Sequence, residues 1–118
     1  MQEKARIYSV YKASMLIGSS VKNAVGEGIG RIREIMIDLE EGCITYAVLS
    51  FGGFLGLGSK LFAIPWNTLT FRPHENVFIL NVDKERLRNS PGFNKNHWPD
   101  MADLKWSTGV SDSDIDST

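Results

Sequence analysis

Short apolar blocks, separated by glycine-rich or polar turns, repeat through most of the chain. The clearest is Ile44 to Phe51, a run of β-branched, aromatic and aliphatic residues that suits a largely buried strand. Leu61 to Trp66 is a second such run. Its Pro65 has no N–H for a ladder, so the strand is expected to end there or to lie at an edge. In Ile29 to Asp38, Ile29, Ile35 and Ile37 share one face and Ile32 falls on the other. That change of parity predicts a β-bulge near Arg33-Glu34, of the kind that helps to close a small barrel. The rival reading is a strand covered on both faces toward its end, with Met36 under a partner.

Weaker blocks fill the rest. Ser14 to Ile17 reads as a short strand or lead-in, Gly18-Ser19 as a turn, Ser20 to Asn23 as a short strand and Ala24 to Gly28 as a turn. Asp38 to Gly42 reads as a hairpin turn leading to Cys43. Asn67 to Phe71 alternates, with Leu69 and Phe71 on one side. Arg72 to Asn76 is a polar turn, and Val77 to Val82 is the last strong strand. Short strands with turns every ~8–12 residues suit a barrel or sandwich. Asp83 to Leu87 predicts a short helix capped by Asp83, with Glu85 in its first turn. It should stop before Asn89-Ser90-Pro91, because the residue before proline avoids helical angles. Beyond it, Phe93, Trp98, Met101, Leu104 and Trp106 are large and apolar with no strand pattern, and Asp100 could cap a turn through Leu104. These aromatics either fold back over their own sheet or form an exchanged arm or interaction surface.

The link between the two strongest strands is unusual. Gly52-Gly53 signals a turn, yet Phe54, Leu55 and Leu57 follow among further glycines. An apolar loop must pack on something: the open end of its own core, or another chain. It is not a phosphate loop, since Ser59 stands between Gly58 and Lys60 and a strand-like run follows instead of a helix. Gly26-Glu27-Gly28-Ile29-Gly30 likewise fails the dinucleotide pattern, its third glycine falling one position early.

The stretch Phe51 to Trp66, FGGFLGLGSKLFAIPW, closely resembles the PRC-barrel family. Three further segments fit in register: Leu16-Ile17-Gly18 with Ser20-Val21-Lys22-Asn23, Gly26 to Gly30 followed by Ile35 to Asp38, and Pro91-Gly92-Phe93 with Trp98-Pro99. The resemblance spans roughly Ala13 to Trp106. Ser59 departs from it, standing where the family favours an acidic residue. The resemblance implies a mainly β fold: a small PRC-type β-barrel of about six short strands, with a short helix and an irregular C-terminal arm. Related barrels form the cytoplasmic part of the photosynthetic reaction-centre H subunit and the C-terminal domain of a ribosome maturation factor. Stand-alone members, which this chain resembles most, look like homodimeric adaptors. The family shares no catalytic residue set, so none is carried over.

Composition bounds the alternatives. The chain has 118 residues, 42% hydrophobic and 23% charged, which suits one globular domain. The expected division is an N-terminal arm at 1–12, a barrel at 13–88, an aromatic arm at 89–107 and a disordered tail at 108–118. A net charge of −1 argues against a strong footprint for nucleic acid. No run approaches the ~20 apolar residues of a membrane span, and the N-terminus lacks a signal-peptide core, so the expected location is the cytoplasm. Cys43 is the only cysteine and reads as a small buried hydrophobe. The alternating Asp112, Asp114 and Asp116 lack the glycine and distal glutamate of a calcium loop. No metal or cofactor is expected.

Catalysis needs converging groups. His74 and His97 read as surface or packing residues, Glu27, Glu34 and Asp38 as a solvated set, and Lys60 as a lysine that blunts a sheet edge. The expectation is a non-enzymatic adaptor that pairs with itself and with a protein partner not identified by the sequence. Its candidate interaction residues are Phe54, Leu55, Leu57, Trp66, Phe93, Trp98 and Trp106. The alternative is an RNA-processing or ribosome-associated factor, which rests on fold analogy alone.

Overall fold

A computed structural model describes residues 10–52 and 58–106. Its centre is one six-stranded sheet in the order β4-β3-β2-β1-β6-β5. The strands are β1 (Ser20–Lys22), β2 (Gly28–Asp38), β3 (Cys43–Phe51), β4 (Lys60–Pro65), β5 (Thr70–Arg72) and β6 (Val77–Ile79). Neighbours run antiparallel except β1 and β6, which are parallel. Among the described residues β4 and β5 do not share a ladder, so the expected closed barrel is an open, curled sheet. The reason is local. After Pro65 the chain makes a 3-10 turn at Trp66–Thr68 instead of continuing extended, held by Thr68 Oγ1 donating to the Pro65 carbonyl at 2.7 Å. The outer edge of β4 is occupied as well. Phe93 N–H donates to the Leu61 carbonyl and Asp103 N–H to that of Ala63.

The predicted bulge is present. The β2–β3 register shifts between Ile32 and Glu34, and again between Met36 and Ile37. Met36 is partly covered, but by the same chain and not by a partner, and Ile37 on the other face is 54% exposed, so the bulge reading holds and the rival reading of a strand buried on both faces does not. A small second core of Tyr46, Val48, Leu61 and Ala63 lies on the outer face, with Met36, Phe93, Trp98 and Ala102 packed against it. The main core fills the inner face, with Ile29, Ile32, Leu49, Phe62, Phe78 and Leu80 among its most buried members.

Several elements differ from expectation. Ala13–Leu16 is a single helical turn, α1, where a strand or lead-in was predicted. Alanine, methionine and leucine favour helix, and Leu16 gains burial in the core. Strand β6 stops at Ile79, although Leu80 still donates to the Lys22 carbonyl and Val82 stays buried. Cys43 is exposed, not buried, because its end of the hairpin runs past the last β3–β4 pair, Tyr46 with Pro65. The late turn is a 3-10 turn at Leu104–Trp106, and Asp103, not Asp100, accepts a backbone N–H there, from Lys105 at 3.1 Å. The predicted helix α2 forms at Lys84–Arg88, with the Asp83 carboxylate accepting from Glu85 N–H at 3.2 Å.

Candidate interaction surface

At the open end of the curled sheet, four aromatic rings stand in a row. Tyr11 meets Phe71 edge-on at 5.3 Å between centroids. Phe71 lies 4.8 Å from Phe78, and Phe78 lies 5.7 Å from Trp66. Each arrives for a local reason. The 3-10 turn swings Trp66 out of the β4 ladder toward the mouth. The alternation read in Leu69 and Phe71 sends both onto the main core. Tyr11 precedes the turn of helix that seats Leu16. Together with Leu16, Ile44 and Pro73 these rings line an open groove of about 400 Å³. Its lining holds no carboxylate and no ammonium or guanidinium group. Tyr11 is its single ionisable residue, so the groove is fitted to apolar contact and not to proton transfer.

The residues singled out from the sequence separate into three groups. Trp66 lines the groove. Phe54, Leu55 and Leu57 lie outside the described residues. The other three cover or fill the protein's own cores. Phe93 and Trp98 stack edge-on at 5.3 Å over the second core, and the Trp98 indole N–H donates to the Lys95 carbonyl. Trp106 is 2% exposed and meets Phe62 at 5.0 Å. Lys60 does not simply face solvent. Its ammonium donates to the carbonyls of Arg88 and Ser90, which ties β4 to the end of α2. What the sequence reading missed was Phe78 as a wall of the groove and Leu39 as an exposed apolar residue. A leucine set among three acidic residues in a hairpin turn was the available signal for the second.

Tyr46 shows how the arm is held to the outer face. Its side chain is 1% exposed, and its hydroxyl donates to the Pro99 carbonyl at 2.6 Å. Burial first, and the nearby Asp100 charge second, raise the phenol above its ordinary value of 10.0. A phenol that ionises later in the fold than in the unfolded chain stabilises the fold below the unfolded value. That contribution fades as pH rises above it toward the folded value. Urea midpoints taken at about pH 9 and about pH 11 should therefore fall more for the wild type than for Tyr46→Phe. At the lower pH the phenylalanine variant should lose ~0.5–1.5 kcal/mol with the hydrogen bond. Equal alkaline losses in the two proteins would show that Tyr46 is not the responsible group.

A six-stranded, mainly antiparallel sheet, curled around one core and open at an aromatic mouth, defines a small β-domain. A family model for the PRC-barrel domain matches residues 9–87, and the chain belongs to that family. No curated protein matches the chain. The family match ends at Leu87, so Phe93, Trp98 and Trp106 all lie beyond it.

Proposed function

We propose that the chain is a non-enzymatic protein–protein interaction module that acts in the cytoplasm, self-associates and docks through the groove at the mouth of its sheet. The observation that carries this reading is the groove at which Tyr11 is exposed and Phe71 and Trp66 are half-buried, backed by the buried ring of Phe78. Aromatic residues in concave, desolvated sites dominate interface energetics, and open apolar surface of this kind is what partners cover. Exposed Val10, Met15 and Ile17 extend apolar surface around α1, beside the groove. The absence of cationic side chains from the lining favours a protein occupant over RNA, whose phosphates call for Lys and Arg.

The test is Tyr11→Asp in the full chain. Tyr11 is 39% exposed and touches Phe71 only by an edge, so the fold should tolerate the change. The variant should keep the wild-type melting temperature within a few degrees, yet lose self-association and capture of partner proteins from the host by about tenfold or more. Unchanged association and capture would remove the groove as the docking surface.

A further inference from the structure

We propose that the occupant of the groove is the β2–β3 turn of a second copy of the chain, with Leu39 as the inserted side chain. The proposal rests on the groove being the docking surface and goes on to name what enters it.

Leu39 is 89% exposed, the most exposed large apolar side chain among the described residues. It sits at the end of the hairpin formed by β2 and β3, and Ile37, 54% exposed, lies two residues before it. The turn that presents it is ordered. The Asp38 carboxylate accepts from Glu40 N–H at 2.9 Å and from Glu41 N–H at 3.2 Å, and Gly42 N–H donates to the Asp38 carbonyl at 2.8 Å. A preformed turn gives up little conformational entropy on docking, one of the costs that weaken small interfaces.

Charge points to the same pairing. Leu39 is flanked by Asp38, Glu40 and Glu41. The groove residues Tyr11 and Phe71 are followed in the chain by Lys12 and Arg72, both exposed. Arg72 has a partner in Glu75 at 3.7 Å, with both side chains more than half exposed. A pair of that kind contributes little and gives way readily to a new carboxylate. An aliphatic side chain between carboxylates suits a groove whose lining is uncharged and whose neighbours in the chain, Lys12 and Arg72, are exposed cations.

Symmetry makes the contact closed. Ile44 lines the groove and is the cross-strand partner of Ile37 in the same hairpin. Knob and groove therefore adjoin within one chain. Two copies facing each other across a two-fold axis can each insert a turn into the other, which gives a dimer and not an open filament.

The experiment uses the full chain in sedimentation velocity over a concentration series. The wild type should sediment as a dimer. Leu39→Asp should weaken it by about tenfold or more, with an unchanged melting temperature because Leu39 is exposed. The double variant Lys12→Glu/Arg72→Glu should weaken it as well. Adding Glu40→Lys/Glu41→Lys to that double variant should restore dimerisation, a rescue that only a direct meeting of turn and groove rim gives. A wild type that stays monomeric up to about 1 mM overturns the proposal, as does a dimer indifferent to Leu39→Asp. So does a monomer that begins to associate on Ile115→Asp, which would place the chain's own Asp114-Ile115-Asp116 in the groove. The groove reading fails separately: in that case Tyr11→Asp leaves both self-association and partner capture as they are in the wild type.

Discussion

Trp106→Ala is expected to cost about 2 kcal/mol of folding stability, a sizeable part of the ~5–15 kcal/mol available to a domain of this kind. The indole is 2% exposed and belongs to the main core, with Phe62 edge-on at 5.0 Å. Cations lie over its ring as well: the Arg86 guanidinium carbon is 5.3 Å and the Lys105 ammonium 5.0 Å from its centroid. Truncating a buried tryptophan to alanine costs ~3–5 kcal/mol through lost burial and the cavity left behind. One feature lowers that figure. Among the described residues the buried indole N–H has no hydrogen-bond partner, a penalty of ~1–3 kcal/mol that alanine removes. Trp106→Phe separates the two effects, because it keeps most of the ring and removes the orphan donor. It should stay within ~1.5 kcal/mol of the wild type while alanine does not. Urea unfolding of the three proteins decides the matter. Equal losses for phenylalanine and alanine would mean that the indole N–H has a partner and is not a penalty. A small loss for alanine would mean that the arm lies off the core in solution.

The folding unit extends past the family match. The family match ends at Leu87, yet the core draws on a residue nineteen positions later. The connection is built along the way. Lys60 ties β4 to the end of α2, Phe93 and Asp103 donate to the β4 edge, and Tyr46 holds Pro99. An unpaired edge strand invites pairing with other chains, and here the chain's own arm fills that edge. The proposed self-association is therefore assigned to the mouth of the sheet and the end of the β2–β3 hairpin, and not to the β4 edge.

The strands were legible because their signal is local. Ile44 to Phe51 and Leu61 to Trp66 announce themselves by β-branched and aromatic runs, and the bulge after Ile32 by a change of parity. The Asp83 cap was legible for the same reason, since a cap is a contact between residues two apart. What could not be read depended on distant partners. Cys43 has the neighbours of a strand residue, and its exposure follows from β4 ending at Pro65, opposite Tyr46. The turn of helix at Ala13–Leu16 is too short for a periodic pattern to reveal. Closure of the barrel depended on whether β4 and β5 would pair, and no residue in either strand settles that alone. The site was legible only in part. Trp66 was singled out, but the groove also needs Tyr11, Phe71 and Phe78, from segments brought together by the sheet.

Gly30→Ala should be at least as damaging as Trp106→Ala, by a different route. Gly30 has φ of +148°, a backbone region that residues with a side chain rarely adopt. It is also crowded. A Cβ there would stand 2.3 Å from the Ser50 carbonyl oxygen and 2.8 Å from Leu49 Cδ1. Neither neighbour can give way easily. Leu49 is 1% exposed, and both residues belong to β3, which is paired on one side with β2 and on the other with β4. Backbone strain of ~1–3 kcal/mol and overpacking of similar size add to ~2–6 kcal/mol, a loss of more than about 10 °C in melting temperature. Gly42→Ala is the matched control. Its φ is +70°, but a Cβ there meets nothing within 4 Å, so it should lose only the ~1–2 kcal/mol of left-handed backbone. Scanning calorimetry on both variants compares the losses. Similar losses would falsify the claim that close approach to Ser50 is what requires glycine. Gly30 brings β2 against β3 just before the bulge after Ile32, from which the strand runs out to Ile37 and Leu39. A side chain at Gly30 pushes the two strands apart at the root of that hairpin. A Gly30→Ala protein that still folds at low temperature should then lose association before it loses its sheet, read as a fall in sedimenting mass at unchanged far-UV circular dichroism.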